Sequence, residues 1–165
     1  MAYISFDPRN SIRDKIGVDW DIEEDGNIEK CIIITDNDDD TLYIPMYFSE
    51  KIKSNNLPTM PYIEMRIVKT YYLEHDVGAT TRKMDSYIDL HVYVTDMDNI
   101  NRETCGKKIK DKLQDLIRTN QYDFTNMDWI NVDSDDYLEE TTGNQLVYHY
   151  VATIHCLYYD ICTGL

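Results

Sequence analysis

The densest run of candidate metal ligands in the chain is Asp36-Asn37-Asp38-Asp39-Asp40-Thr41. Alternating aspartates open the calcium-binding loop of EF-hands, which also requires glycine at its sixth position and glutamate at its twelfth. Here those positions hold Thr41 and Tyr47. The flanking patterns predict strands, whereas an EF-hand has helices there. We therefore expect a solvated acidic turn, and the alternative is a weak surface site for a cation.

Three histidines and one cysteine in the second half of the chain have side chains that bind zinc. They are His91, His149, His155 and Cys156. His149 and His155 share one face of a predicted strand, but at ~3.3 Å per residue they lie too far apart to hold one metal directly. The sequence contains no His-x-Glu, His-Glu-x-x-His or Gly-x-Ser-x-Gly pattern. We interpret the histidines as residues of a sheet face or edge.

Glu64 and Lys69 lie in one predicted strand, and metal-dependent nucleases place an acid and a lysine on such a strand. The customary spacing leaves one residue between them, whereas four residues separate them here. A nuclease with a net charge of −15 would also need a local basic groove for its substrate. We therefore predict that the chain is not an enzyme. We assign it no catalytic, cofactor-binding or metal-binding residues and no cofactor.

The one concentration of basic residues lies on a predicted helix, interleaved with Asp111 and Asp115. Its members are Lys107, Lys108, Lys110 and Lys112. A solvated helix face with pairs four residues apart explains this pattern. The alternative is a contact with an acidic neighbour, including an acidic copy of the same chain.

Composition limits the classes of function. A chain of 165 residues favours one domain, which we place at 1–165. The net charge of −15 argues against unspecific DNA binding and against an anionic membrane surface. It suits solubility, a basic partner, or a surface past which nucleic acid slides without adhering. Adaptation to high salt is a fourth alternative. The 14 tyrosines suit sheet surfaces and contact faces.

The cysteines indicate a reducing compartment. Cys31, Cys105, Cys156 and Cys162 form no Cys-x-x-Cys pair and are too sparse for a disulfide scaffold. We expect reduced, mostly buried thiols inside a cell. The N-terminus lacks the pattern of a signal peptide, and no apolar run approaches the roughly 20 residues of a membrane helix.

Hydrophobic periodicity predicts an α+β fold, with an antiparallel β-sheet, one main amphipathic helix packed on one face and a short N-terminal helix. The helices are expected at Asp7–Ile16 and at about Asn101–Thr119, the second capped by Asn99 or Asn101. Strands are expected at Cys31–Thr35, Thr41–Phe48, Pro61–Tyr72, Ile88–Val94, Phe124–Val132 and Leu146–Tyr159. Pro45 favours an edge position for the second strand. Loops are expected at Asp19–Lys30, Ser49–Pro61, His75–Lys83 and Asp133–Asn144.

This order of elements resembles that of the tail terminator, or tail completion, proteins of tailed bacterial and archaeal viruses and of related neck proteins. In that family, a short helix precedes an antiparallel sheet, and a long strand leads through an Asp/Asn-rich turn into one amphipathic helix. A variable loop and a long closing strand follow. The matching segments are Ser11–Ile16, Tyr62–Lys69, Tyr87–Thr95 with Asp96-Met97-Asp98-Asn99, Arg102–Arg118 and Leu146–Tyr159.

The resemblance implies a virion structural protein that acts without catalysis. Such proteins form a ring, commonly a hexamer, which caps the tail tube and joins it to the head or neck connector. Its partners would be itself, the tail tube protein, the connector, and DNA that passes through an acidic channel without specific binding. It would assemble in the host cytoplasm and reside in the virion. The alternatives are another head–tail neck adaptor and an acidic DNA mimic that inhibits a DNA-binding enzyme.

Overall fold

The computed structural model describes residues 2–3, 6–22, 26, 28–73 and 81–163, and the side chains of 2, 3, 81 and 160–163 are outside this description. Helix α1 spans Pro8–Ile16 and α2 spans Arg102–Thr119. The strands are β1 Ala2–Tyr3, β2 Val18–Ile22, β3 Ile28–Thr35, β4 Thr41–Phe48, β5 Tyr62–Leu73, β6 Thr81–Val94, β7 Met127–Thr142 and β8 Gln145–Thr163. A short 3₁₀ turn, Ser49–Lys51, follows β4.

Both helices begin at a side-chain cap. Asp7 accepts a hydrogen bond from the backbone of Arg9, and Pro8 fits the first helical position because it has no N–H to satisfy. Asn101 caps α2 by accepting from Thr104 N at 2.8 Å, which selects it over Asn99. The predicted helices are thus confirmed to within a residue at each end.

The sheet is mixed, which corrects the predicted antiparallel sheet. Its order is β1-β8-β6-β5-β4-β3-β2, and β7 pairs with β8. The pair of β4 and β5 is parallel, with Met46, Tyr47 and Phe48 opposite Ile63, Glu64 and Met65. The long connection from Ser49 to Pro61 returns the chain to the end of the sheet at which β4 began, as a parallel neighbour requires. The prediction failed because it treated short loops as the rule throughout.

Two of the predicted loops are largely strand. Asp19–Lys30 contains most of β2 and the start of β3, and Asp133–Asn144 is mostly the second half of β7. Both strands lie at sheet edges, where exposed acids are tolerated, so their polarity imitated that of a loop. The predicted loop His75–Lys83 lies partly outside the described residues, and Thr81–Lys83 already belongs to β6.

Pro45 lies in an interior strand, which corrects its predicted edge position. It is opposite Cys31 of β3, and the ladder with β5 begins one residue later, at Met46. Proline has no N–H, and Pro45 lies just before the residues of β4 whose N–H groups bond to β5. Its missing donor therefore does not interrupt the β4–β5 ladder. Strand β4 itself has the predicted bounds, Thr41–Phe48.

The hydrophobic core lies between the sheet and the two helices. Side chains alternate in β6 and β8, and the even-numbered ones from Met84 to Val94 and from Tyr148 to Tyr158 are buried on the face against which α2 packs. The helix contributes Cys105, Ile109, Leu113 and Ile117 to this cluster, and α1 contributes Ile12 and Ile16. The opposite face of β5, β6 and β8 carries His91, His149 and His155, and we call it the histidine face.

Candidate functional site

The acidic turn of Asp36–Asp40 is organised by its own backbone. Asp36 is 5% exposed, and its Oδ1 accepts from the N–H groups of Asp38 at 2.8 Å and Asp40 at 3.0 Å. Asp39 adopts a φ of 62°, the left-handed conformation that short polar residues tolerate. The side chain of Asp36 therefore acts as the internal cap of a turn.

The histidine face holds a chain of hydrogen bonds across three strands. Nδ1 of His149 lies 2.6 Å from Oε1 of Glu140 on β7, and Nε2 of His149 lies 2.9 Å from Nδ1 of His91 on β6. An ionised carboxylate only accepts, so His149 donates from Nδ1 and, when neutral, accepts at Nε2. When both rings are neutral, His91 donates from Nδ1 to Nε2 of His149.

This assignment leaves the lone pair of His91 Nε2 without a donor. Among the described residues the atom is buried and has no hydrogen-bond partner, and it lies 3.8 Å from Oδ2 of Asp89. Burial, the neighbouring His149 and the cation of Arg66 lower the pKa of His91, while Glu64 and Asp89 oppose that change. The neutral form of His91 is therefore favoured, although the carboxylates of Glu64 and Asp89 favour the protonated form.

The third histidine of this face belongs to a separate cluster. His155 Nε2 contacts Asp85 Oδ1, and its ring stacks on Tyr87 at 4.5 Å between centroids. Trp129 meets the same ring edge-on at 5.1 Å. His149 and His155 share one face, as predicted, and each ring has different partners. Within the described part of the chain, no group of three His, Cys, Asp or Glu residues has the geometry to hold a metal ion.

The two residues compared above with a nuclease motif, Glu64 and Lys69, have separate partners. Glu64 accepts from Arg66 at 2.7 Å, and Lys69 lies over the rings of Tyr71 and Tyr87. A bulge between Ile67 and Lys69 separates the two halves of β5. Glu64 is therefore paired with Arg66, and Lys69 makes cation–π contacts with Tyr71 and Tyr87.

Most of the lysines on α2 contact other parts of the same chain. Lys107 pairs with Glu103, and Lys110 pairs with Asp135 of β7 at 3.1 Å. Lys108 donates to the carbonyl of Thr35 at 2.8 Å, at the end of β3. In the described residues, Lys112 makes no ion pair.

The buried thiols have the predicted character. Cys31, Cys105 and Cys156 are buried and unpaired, while the side chain of Cys162 lies outside the description. Burial raises the pKa of Cys105 to about 11 and that of Cys156 to about 12. These thiols therefore stay protonated and unreactive at neutral pH.

Sequence reasoning missed four exposed apolar residues on the β2–β3 hairpin. Val18 is 45% exposed, Trp20 41%, Ile22 71% and Ile28 45%. Isolated exposed apolar residues are common. The register places Val18 opposite Cys31 on one face of the hairpin, and the paired Ile22 and Ile28 on the other face. The alternation of apolar and acidic residues in Val18-Asp19-Trp20-Asp21-Ile22 was the signal that could have revealed an edge strand here.

Strands β2 and β7 are open edges of the sheet. Strand β2 pairs with β3 and β7 pairs with β8, and neither has a second neighbour among the described strands. Each edge uses an aspartate in the same way. Oδ1 of Asp21 accepts from the N–H of Ile22 at 2.8 Å, and Oδ1 of Asp136 accepts from the N–H of Tyr137 at 2.7 Å.

No family model matches the chain, and no curated protein matches it. In the part of the chain that the structure describes, neither helix is long and apolar enough to cross a membrane.

Proposed function

We propose that the chain is a virion structural protein without catalytic activity, a ring-forming tail terminator. It caps the tail tube and joins it to the head or neck connector. The observation that carries this proposal is the set of four exposed apolar residues on the β2–β3 hairpin, Val18, Trp20, Ile22 and Ile28, of which Ile22 and Ile28 form a cross-strand pair. An assembling subunit would bury such residues against a neighbour.

The order of elements supports the terminator class in particular. A short helix, long strands β5 and β6, the turn of Asp96–Asn99, the amphipathic helix α2 and the long strand β8 follow one another as in that family. Two features depart from it. The β4–β5 pair is parallel, and the segment expected as a variable loop is an extended edge strand.

Charge supports a role beside passing DNA. The net charge of −15 repels phosphates, and an acidic ring channel would let a genome pass without adhering. Two of the four lysines of α2, Lys107 and Lys110, already pair with acids of the same chain. They are therefore less available for contacts between subunits. The ring contacts are therefore expected at the apolar hairpin rather than at the lysine face.

Another neck adaptor would assemble through the same hairpin and differs only in the partner it caps. An acidic DNA mimic fits less well. Such an inhibitor presents unpaired carboxylates on one face, whereas Asp135 and Glu139 of the acidic strand β7 are paired with Lys110 and Arg102.

The test is negative-stain imaging of the protein alone and mixed with tail tubes from the same source. Closed rings, or density on one end of a tube, are the expected result. The variant Ile22→Lys should abolish them, while Tyr122→Lys should not, because Tyr122 is equally exposed, at 72%, but lies outside the apolar hairpin. Bare tubes and isolated particles with the wild-type protein, or rings that persist in Ile22→Lys, would contradict the proposal.

A further inference from the structure

The second half of β7 is a long and regular open edge. From Ser134 to Thr142, its residues pair with β8 without a register shift, and the two bulges of the strand lie before Ser134. Edge strands are usually interrupted by bulges, prolines or lysines, because an uninterrupted edge accepts another strand. Neither proline nor a basic residue occurs between Asp133 and Thr142.

The turn that joins β7 to β8 identifies the backbone groups that point outward. Thr142 and Gln145 flank a two-residue turn in which Gly143 has a φ of 62°, and residues that flank such a turn form a hydrogen-bonded pair. Because bonded and non-bonded pairs alternate, the N–H and C=O groups of residues 135, 137, 139 and 141 point away from β8. The bond from Tyr137 N–H to the Asp136 carboxylate agrees, since that N–H is outside the β8 ladder.

Aspartates protect this edge from pairing with another strand. Asp136 occupies the outward N–H of Tyr137, and Asp133 and Asp136 make no ion pair within the described residues. The other open edge, β2, has no basic residue of its own and carries Asp21 together with Asp19, which pairs with Lys30 of β3. Pairing of β7 with β7 or β2 of a second copy would therefore place acids beside acids, which is destabilising.

We propose that the β7 edge binds an extended, lysine- or arginine-rich segment of a partner protein by strand addition. A carbonyl of the incoming strand accepts the N–H of Tyr137, and the released carboxylate of Asp136 pairs with a basic side chain of that strand. Backbone pairing supplies the binding and the acidic side chains select a cationic partner. This inference does not depend on the proposed ring, which uses the β2–β3 hairpin.

The first test uses a synthetic peptide in which lysine alternates with threonine, long enough to span residues 135–141. It should bind the full-length protein and slow hydrogen exchange at the amides of Tyr137, Glu139 and Thr141. A glutamate–threonine peptide should not bind. A lysine–threonine peptide with alternate amides methylated should bind much more weakly, since it keeps the charge but loses the backbone donors. Equal binding of the methylated peptide, or no binding of the lysine peptide, would overturn the proposal.

Matched variants test the two components separately. Glu139→Pro removes one outward N–H and should abolish binding, while Glu139→Ala loses the same ion pair with Arg102 and should retain it. Asp136→Asn should weaken binding by about threefold relative to Asp115→Asn, which makes the same change of net charge on α2. Equal affinities of Glu139→Pro and Glu139→Ala would contradict strand addition, and equal affinities of Asp136→Asn and Asp115→Asn would contradict the selection of a cationic partner. If these amides are already protected in concentrated protein without peptide, the occupant is a second copy and the proposal is wrong.

Discussion

With both rings neutral, His149 donates to Glu140 and accepts from His91, and the unprotonated Nε2 of His91 then lies 3.8 Å from Oδ2 of Asp89. The groups that face His91 are Glu64 and Arg66 on β5, Asp89 on its own strand, and His149 on β8. Burial outweighs the carboxylates and lowers the pKa of His91. The unfolded chain therefore binds a proton at higher pH than the folded chain does.

Because of His91, the free energy of unfolding is expected to decrease as the pH is lowered. The loss begins as the pH drops through the ordinary histidine pKa of about 6.5 and ends below the depressed folded value. His91→Gln keeps a donor for His149 but does not titrate, so its unfolding free energy should depend less on pH in this window. Urea unfolding at a series of pH values measures this. His155→Gln is the control from the same face, and if it flattens the profile as much, the assignment to His91 fails.

Arg9 joins four parts of the chain, and its replacement should destabilise the fold. Its side chain is 8% exposed and pairs with Asp7 and Glu50, donates to the carbonyl of Met65, and lies over the ring of Phe48. Removing one member of a buried ion pair costs about 3–5 kcal/mol. Because Glu50 is largely exposed, we expect about 2–3 kcal/mol for Arg9→Met.

Urea unfolding measures this loss, and the exposed Lys15→Met on the same helix is the control. The hydrogen bond from Arg9 also lowers the pKa of Glu50. That contribution is present above the unfolded pKa of glutamate and should fade as the pH falls through the lower folded value. A loss in Arg9→Met no larger than in Lys15→Met would mean that Arg9 does not hold these elements together.

Gly106 permits the close approach of α2 to β8. A Cβ at this position would lie 2.3 Å from two ring carbons of Tyr148. Gly106→Ala should therefore lower the unfolding free energy by about 1–3 kcal/mol, although alanine favours a helix by about 1 kcal/mol over glycine. Combining it with Tyr148→Val should recover part of the loss, as a double-mutant cycle of thermal unfolding will show. Simple addition of the two losses would exclude this contact as the cause.

Asn101 and Asn99 provide a matched pair for the start of α2. Asn101→Ala should cost about 0.5–2 kcal/mol because the N–H of Thr104 loses its acceptor. Asn99→Ala, two residues earlier in the preceding turn, should have little effect. Chemical unfolding of both variants decides this, and a similar loss in each would point to the turn rather than the cap.

The elements with strong periodicity could be predicted from the sequence. Helix α2 and strand β4 follow from their apolar spacing and their turn residues almost residue for residue. The second half of β7 could not be predicted, since an exposed acidic edge has the composition of a loop. The parallel β4–β5 pair was also hidden, because strand direction depends on where a long connection crosses the fold.

The candidate surfaces were harder to infer than the fold. The shared face of His149 and His155 follows from strand alternation, but their different partners depend on β7 and β6, which are distant in sequence. The aspartate caps of the edges were invisible for another reason. The sequence shows that an aspartate lies in a strand, but it does not show whether the N–H of the next residue points outward. That direction depends on the geometry of the turn that joins the two strands.

The parallel ladder between β4 and β5 consists of three residue pairs, and it is the backbone connection between β2–β4 and the remainder of the sheet. Opening so short a ladder costs less than unfolding the long pairs of β6, β7 and β8. The unit β2–β4 is also joined to β5 by the long connection Ser49–Pro61. A unit that is held by a short ladder and joined by a long connection can exchange between identical molecules. The fold therefore contains a route to a domain-swapped dimer.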